Sequence, residues 1–187
     1  LITGGAGFIG SSLAKKLLEM DYEVRILDDY SRGVPRRLKN ISEHAEVIDG
    51  DVRDYNVVLK ATKEIDVVFH LAAVNGTENF YNLSRKVLSV GVKGTINTID
   101  GALENGCSRY VFASSAEVYQ QPTVIPTNES ERLIIPDIKN PRFSYSSSKL
   151  IGEMLCLHYL PKDKLDVVLF RPHNIYGPDM GFEHVIP

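Results

Sequence analysis

Three glycines spaced three residues apart, Gly4, Gly7 and Gly10, lie at the start of the chain between two apolar residues and an amphipathic stretch. In a strand–turn–helix unit the first glycine permits a tight turn, and the second lets the backbone approach a phosphate without a Cβ clash. The third lets the helix pack closely on the strand, and the free N–H groups of the helix N-terminus attract an anion. Taken alone, the pattern indicates a phosphate-binding turn or a generic glycine-rich turn.

Short apolar segments rich in β-branched residues alternate with helical segments along the rest of the chain. This alternation predicts βαβ units and an α/β fold, a Rossmann-type doubly wound parallel sheet covered by helices on both faces. The predicted strands are residues 1–2, 23–27, 46–48, 66–70, 109–113 and 166–170. The predicted helices are residues 9–20, 83–105 (capped by Gly106) and 144–159, and residues 120–141 form the longest irregular region.

Two acidic residues, Asp28 and Asp29, follow the second predicted strand, about 20 residues after the glycines. A carboxylate at this place accepts hydrogen bonds from the ribose hydroxyls of a bound dinucleotide. It also repels a 2′-phosphate, which favours NAD over NADP, although an arginine such as Arg32 can accommodate that phosphate. We therefore expect residues 1–175 to form an NAD-binding domain that carries the catalytic residues. Residues 176–187 would begin a truncated substrate-binding region, because both ends of the sequence look cut.

Composition restricts the class of protein. A chain of 187 residues with 43% hydrophobic and 24% charged residues is ordinary for a globular domain. Its net charge of −3 argues against binding to nucleic acid through a basic surface, and it contains no apolar run of the roughly 18 residues that span a membrane. Cys107 and Cys156 have neither metal-ligand nor disulfide-framework spacing. We expect reduced cysteines packed in helices, no metal, no membrane or nucleic-acid partner, and a cytoplasmic setting.

Tyr145 and Lys149 are four residues apart, so the predicted helix places them on one face. A free tyrosine has a pKa of about 10, and a neighbouring ammonium lowers that pKa towards the range of a useful base. Upstream, Ser114 and Ser115 follow a predicted strand at the carboxyl edge of the sheet, where doubly wound folds bind ligands. Ser115 is the candidate partner for the substrate hydroxyl that Tyr145 deprotonates; both serines could instead simply terminate the strand.

Seven segments together resemble the extended short-chain dehydrogenases/reductases of the NAD-dependent epimerase/dehydratase family, in the order that the family has. They are TGGAGFIG (3–10), LDD (27–29), GDVRD (50–54), HLAA (70–73), SSAEVY (114–119), YSSSK (145–149) and RPHNIYGP (171–178). The resemblance covers nearly the whole chain and implies a nucleotide-sugar substrate. It also implies a homodimer formed through the helices at 83–105 and 144–159.

The resemblance assigns further contacts. It implies Phe8 and Ile9 at the pyrophosphate, Asp51 and Val52 beside the adenine, Leu71, Ala72 and Ala73 near the cofactor ribose, His173 beside the nicotinamide through its backbone, and Asn174 at the substrate diphosphate. Lys149 would also hold the nicotinamide ribose. His70 is interpreted as a core strand residue. Two departures from the family pattern are Gly91, where an Asn is common, and Gln120, where Gly usually follows the Val-Tyr pair.

The family mechanism predicts a first step in which Tyr145, as phenolate, removes a proton from a sugar hydroxyl, usually at C4, while hydride passes to NAD. The 4-keto sugar then leads to epimerisation, loss of water or loss of carbon dioxide. Glu117 lies where dehydratases and decarboxylases carry an acid, whereas Ala116 replaces the Asp of some dehydratases. The sequence slightly favours an epimerase over a dehydratase, with a decarboxylase third. A dinucleotide sensor without chemistry and a one-way reductase are also compatible with these residues.

Overall fold

A computed structural model describes residues 1–161 and 163–180. Six strands form one all-parallel sheet: β1 (Ile2–Thr3), β2 (Arg25–Asp28), β3 (Glu46–Asp49), β4 (Val67–His70), β5 (Arg109–Ala113) and β6 (Asp166–Phe170). Their order is β3-β2-β1-β4-β5-β6. The predicted Rossmann-type α/β fold is confirmed, and the ends of the six predicted strands move by at most two residues.

The helices are α1 (Phe8–Leu18), α2 (Tyr55–Ala61), α3 (Thr77–Asn82), α4 (Ser84–Leu88), α5 (Thr95–Glu104) and α6 (Ser144–Met154). The predicted helix over 83–105 is α4 and α5 joined by a π-helical segment, Ser89–Gly94, and α6 continues into a second one, Leu155–Tyr159. Gly106 caps α5 with a φ of 69°, as predicted. The sequence prediction missed α2 and α3, which have seven and six residues.

The core lies on both faces of the sheet. Consecutive residues of a strand point to opposite faces, and Ile26 packs with α1 while its neighbour Leu27 packs in the larger cluster with α2 and α5. Cys107 and Cys156 are buried and unpaired with each other. The expectation that both lie in helices is wrong for Cys107, which follows the turn after α5 because Gly106 has already ended that helix.

The parallel arrangement brings the carboxyl ends of all six strands to one edge of the sheet. The glycine turn follows β1, and the chain order reverses between β1 and β4, where doubly wound sheets open a crevice for ligands. In the described part of the chain, no helix has the length and apolar character needed to cross a membrane. Of the predicted substrate-binding region, residues 181–187 lie outside the described residues.

Candidate active site

The glycine turn is as tight as its sequence predicts. Gly4 has a φ of +72°, and its N–H donates to the Leu27 carbonyl at 2.8 Å. A Cβ on Gly10 would lie 2.3 Å from the Gly4 carbonyl oxygen, so only a glycine lets α1 pack this closely on the turn. Among the described residues, no side chain caps the N-terminus of α1. The first N–H groups of the helix therefore remain available to an anion.

Asp28 and Asp29 differ in environment. Asp28 is buried at the end of β2, where its Oδ2 accepts from the Ala6 N–H at 2.9 Å and its Oδ1 accepts from the Tyr30 N–H at 2.8 Å. Burial raises the pKa of this carboxyl, and the two backbone hydrogen bonds oppose that rise. Asp29 is exposed beside it. Asp28 thus holds the glycine turn against β2 and Asp29 presents its carboxylate to solvent, so the two neighbouring acids serve different structural purposes.

A cavity of about 710 Å³ runs along the carboxyl edge of the sheet. It is lined by nearly all of the residues predicted to bind the cofactor: Gly4, Gly7, Phe8, Ile9, Gly10, Asp28, Asp29, Asp51, Val52, Leu71, Ala72, Ala73, Tyr145 and Lys149. A cavity of this size accommodates a dinucleotide. The glycine cradle and the helix N-terminus fit its pyrophosphate, and the exposed Asp29 carboxylate fits its ribose.

Three predicted residues lie outside the lining of this cavity. Ser115 and Glu117 follow the end of β5, next to Ser114, which does line the cavity. His173 is exposed between Pro172 and Asn174, and both of these neighbours line the cavity. Asn174, predicted to contact the substrate, therefore reaches the same space as the cofactor residues.

Tyr145 and Lys149 both line the cavity, because α6 places them one turn apart on the same face. The Lys149 Nζ donates to the Ala113 carbonyl at the end of β5, 2.7 Å away, and lies 5.7 Å from the centre of the Tyr145 ring. Tyr145 and Lys149 are 8% and 3% exposed. The structure thus places the candidate base close to its predicted cationic neighbour, and both side chains are largely shielded from solvent.

Burial dominates the protonation of this pair. It raises the pKa of Tyr145 to about 12, while a hydrogen bond with Ser115 acts in the opposite direction. Burial also lowers the pKa of Lys149 to about 8. The expected lowering of the Tyr145 pKa by Lys149 is therefore not found in this structure, where desolvation of the phenol is the largest effect and the charge of Glu117 acts in the same direction. In this structure the phenol is protonated at neutral pH.

Glu117 is held by Arg142. The two guanidinium nitrogens Nη1 and Nη2 donate to Glu117 Oε2 and Oε1 at 3.1 and 3.0 Å, a bidentate ion pair. The Glu117 N–H donates to the Ser115 hydroxyl at 3.2 Å. The candidate acid therefore has a fixed position relative to Ser115.

Two residues of the site were missed by sequence reasoning. The Phe80 ring of α3 stacks on the Tyr145 ring at a centroid distance of 5.2 Å and an interplanar angle of 13°, and the Arg142 guanidinium lies 5.1 Å from the centre of the Phe80 ring. A signal for Arg142 exists, since it lies three residues before Tyr145, in the short helical turn Pro141–Phe143 that precedes α6. Phe80 has no comparable signal because α3 was not predicted.

A buried network fixes α6 on the sheet beneath the site. Arg171, after β6, donates through Nε and Nη2 to the two carboxylate oxygens of Glu153 at 2.8 and 2.7 Å, and Ser114 donates to the same carboxylate. Arg171 also donates to the Tyr119 hydroxyl at 2.7 Å. The strand-end serine Ser114 is thus a structural residue, which leaves Ser115 as the substrate candidate of the pair.

The two departures from the family pattern have local causes. A Cβ on Gly91 would lie 2.5 Å from the Ser148 hydroxyl oxygen, so Ser148 occupies the space that a side chain at position 91 needs. Gln120 has a φ of 52°, in the left-handed region that favours glycine, and its amide donates to the Glu117 carbonyl. The backbone at 120 thus has a glycine-like conformation without a glycine.

Comparison with known proteins shows which family this chain is similar to. The family model described as "NAD dependent epimerase/dehydratase family" matches residues 1–187. The chain is 35% identical over 190 residues to a UDP-N-acetyl-alpha-D-glucosaminuronate decarboxylase of Bacillus cytotoxicus, covering 100% of the chain and 58% of that protein. It is 34% identical over 179 residues to a putative UDP-glucose 4-epimerase of Methanocaldococcus jannaschii, covering 95% and 56%.

The solved structures agree with these relatives. A crystal structure of a UDP-galactose 4-epimerase superimposes with a TM-score of 0.79 at 34% identity, covering 91% of the chain and 54% of that protein. The chain thus spans a little over half the length of each of these three relatives. A decarboxylase and epimerases are about equally similar, so these similarities do not resolve the reaction. With its six-stranded parallel sheet and its NAD cofactor, the chain belongs to the NAD-dependent epimerase/dehydratase family.

Proposed function

We propose that the chain oxidises the C4 hydroxyl of a nucleotide-activated sugar to a 4-keto sugar. The observation that carries this proposal is the position of Tyr145, whose buried ring lines the cofactor cavity close to Lys149 and Ser115. Bound NAD supplies a positively charged ring that accepts hydride. Tyr145, as phenolate, takes the hydroxyl proton, the C4–H bond breaks as hydride leaves, and the C4=O bond forms.

Each neighbour of Tyr145 has a task in this step. Ser115, whose hydroxyl lowers the pKa of the nearby phenol, presents that hydroxyl to the same sugar oxygen. Lys149, anchored on the Ala113 carbonyl, fixes a cation close to the ring and binds the nicotinamide ribose. Burial raises the pKa of Tyr145 to about 12, so the phenolate needs an additional positive charge nearby. The nicotinamide ring of bound NAD would supply that charge.

The fate of the 4-keto sugar depends on Glu117. Epimerisation needs no acid at this place, whereas dehydration across C5–C6 needs a base at C5 and an acid at C6. Position 116, where some dehydratases of the family carry Asp, is Ala116. Loss of carbon dioxide from a C5 carboxylate breaks the C5–C6 bond and leaves its electron pair in an enolate with the C4 carbonyl, so that C5 then needs one proton. Glu117, held by Arg142, can take up this proton from solvent and pass it to C5, and no second acid is needed. We therefore infer a nucleotide-linked uronic acid as substrate and decarboxylation as the reaction.

Epimerisation is the second candidate. The sequence alone slightly favours it, and the relatives at 34% identity that are named as 4-epimerases support it. Mass spectrometry of products from full-length protein, given a panel of neutral and acidic nucleotide sugars, distinguishes the outcomes. Loss of carbon dioxide supports decarboxylation and an unchanged mass supports epimerisation. Loss of water would identify a dehydratase.

The replacement Tyr145→Phe tests the first step. We expect turnover to fall by at least about 100-fold, because a positioned acid–base group contributes this much or more, while NAD binding persists. Tyr159→Phe is a matched control, since Tyr159 is exposed at the end of the π-helical extension of α6, where its hydroxyl donates to Asp100. Full turnover in the Tyr145→Phe protein would refute the proposal. Failure of the unmodified protein to reduce its cofactor with any sugar would favour a sensor, and steady cofactor consumption would indicate a one-way reductase.

We also propose a homodimer. Ile151, Met154 and Leu157 expose apolar side chains at three-residue spacing along α6 and its extension, and Leu88 does so on the adjacent α4. An apolar surface of this kind is buried in helix-mediated dimers. Light scattering on full-length protein should give twice the chain mass, and Met154→Asp should shift that mass towards the monomer.

A further inference from the structure

We propose that Arg142 is a positioning residue that sets the carboxylate of Glu117 at a fixed distance from Tyr145. The inference rests on the proposed function, in which Glu117 acts on the sugar after Tyr145 has begun its oxidation. The geometry that points to it is a chain of contacts. The Arg142 guanidinium pairs with Glu117 and also lies near the Phe80 ring, which stacks on Tyr145.

The first contact is the ion pair itself. Arg142 donates from two nitrogens to the two oxygens of Glu117, at 3.0 and 3.1 Å. A planar fork of this kind fixes the orientation of a carboxylate as well as its place, which a single point charge does not. The backbone of Glu117 is held independently, because its N–H donates to Ser115 and its carbonyl accepts from the Gln120 amide. Arg142 therefore fixes the side-chain torsions that the backbone contacts leave free.

The second contact runs through Phe80. The Arg142 guanidinium lies 5.1 Å from the centre of the Phe80 ring, and the same ring stacks on Tyr145 at a centroid distance of 5.2 Å. Phe80 is 2% exposed, so its ring has little freedom to move. Cation–π and stacking contacts of this kind hold planar groups in register. A change in the position of Arg142 therefore moves the Glu117 carboxylate directly. It affects the position of Tyr145 only through the ring of Phe80.

The backbone of Arg142 is anchored by the start of α6. The Asn140 side chain accepts from the Arg142 N–H at 2.9 Å, and Pro141 begins the short helical turn that leads into α6. Arg142 is thus three residues before Tyr145 on a turn whose start is fixed by a cap. The ion pair is partly exposed, with side-chain exposures of 27% and 36%. Exposed pairs add little to stability, so we expect the effect of Arg142 on the reaction to exceed its effect on folding.

The test compares full-length Arg142→Met and Arg142→Lys proteins with two references. Tyr145→Phe reports the first step, and Arg109→Met removes an exposed ion pair, that of Arg109 with Asp166, at the amino end of the sheet. The measurements are kcat, KM, the urea unfolding midpoint, and the fraction of turnover released as a free 4-keto sugar, trapped by reduction with borodeuteride and detected by mass.

We expect Arg142→Met to lower kcat by about 10- to 100-fold, in the range that misplacement of a reacting group produces. KM should stay within about threefold, the unfolding midpoint should match that of Arg109→Met, and the fraction of released keto sugar should rise. Arg142→Lys, which keeps the charge but not the fork, should recover part of kcat.

Two results would overturn the inference while leaving the proposed function intact. The first is an Arg142→Met protein that matches Arg109→Met in kcat and in released keto sugar while Tyr145→Phe is inactive. The second is a fall in kcat that comes with a lower unfolding midpoint in both Arg142 variants, which indicates a merely structural role. Full activity of Tyr145→Phe would instead refute the proposed function, and the inference with it.

Discussion

His70 is expected to make the folded protein sensitive to acid. Its imidazole is 1% exposed at the end of β4, with Nδ1 2.8 Å from the Thr3 hydroxyl and Nε2 3.1 Å from the Thr95 hydroxyl. Burial lowers the pKa of His70 to about 3, from an ordinary value of 6.5. This agrees with the interpretation of His70 as a core residue, and it links the core to the strand ends that carry the site.

The direction of the effect follows from where the proton binds. In the folded protein the His70 imidazole stays neutral down to about pH 3, whereas the unfolded chain takes up a proton near pH 6.5. The unfolded state therefore binds more protons between these values, and stability is lost as the pH falls through this window. A pH of 5 lies about 1.5 units below the ordinary pKa of the unfolded imidazole. Protonation therefore stabilises the unfolded state at this pH, and the unfolding free energy falls by roughly 2 kcal/mol.

Urea unfolding at pH 8 and pH 5 measures this loss. His70→Gln should lose about 2 kcal/mol less than the unmodified protein between the two pH values, and the exposed His44→Gln serves as the matched control. The cost of the broken hydrogen bonds to the two threonines is present at both pH values and cancels in the difference. If His70→Gln lost as much stability on acidification as His44→Gln, the reasoning would be wrong.

Two further expectations concern the glycine turn and α6. Gly91→Ala should lower the unfolding free energy by about 1–3 kcal/mol, because the new Cβ overlaps the side chain of Ser148. In urea titrations, the double variant with Ser148→Gly should recover part of that loss. Purely additive effects of the two substitutions would contradict the overlap. Asp28→Ala should cost about 1–3 kcal/mol because it leaves the buried Ala6 N–H without an acceptor. Asp29→Ala should instead weaken NAD binding, measured by calorimetry, with little change in stability; equal stability losses would contradict the assignment of Asp28 as the anchor.

The parts of the fold that the sequence predicted are those in which a residue type is required by the backbone. Gly4 needs a positive φ and Gly10 needs the absence of a Cβ, so their spacing alone locates β1 and α1. Apolar runs in buried parallel strands are almost continuous, which located all six strands. The cofactor contacts follow because parallel strands end at one edge, and the residues after those ends line the cavity.

The parts that the sequence did not predict depend on tertiary packing. The helices α2 and α3 are shorter than two full heptads and show too few apolar repeats for periodicity to detect. The π-helical segment at Ser89–Gly94 has no residue signature of its own, and its turn is supported by the Thr95 hydroxyl bond to the Gly91 carbonyl. The pKa of Tyr145 also escaped prediction. Spacing places Lys149 on the same helix face, but burial, which the spacing does not reveal, determines the shift.

The two departures from the family pattern both affect contacts of candidate catalytic residues. Gly91 gives up a side chain, and the space is filled by Ser148, whose hydroxyl donates to the Tyr145 carbonyl at 2.7 Å on α6. Gln120 adds a side chain at a strained backbone position, and its amide holds the Glu117 carbonyl. At each position, a hydrogen bond therefore holds the backbone carbonyl of a candidate catalytic residue, Tyr145 in one case and Glu117 in the other. Such compensation is expected of a chain whose site still has chemistry to perform, because a sensor needs the cofactor cradle but not a fixed carboxylate beside a buried phenol.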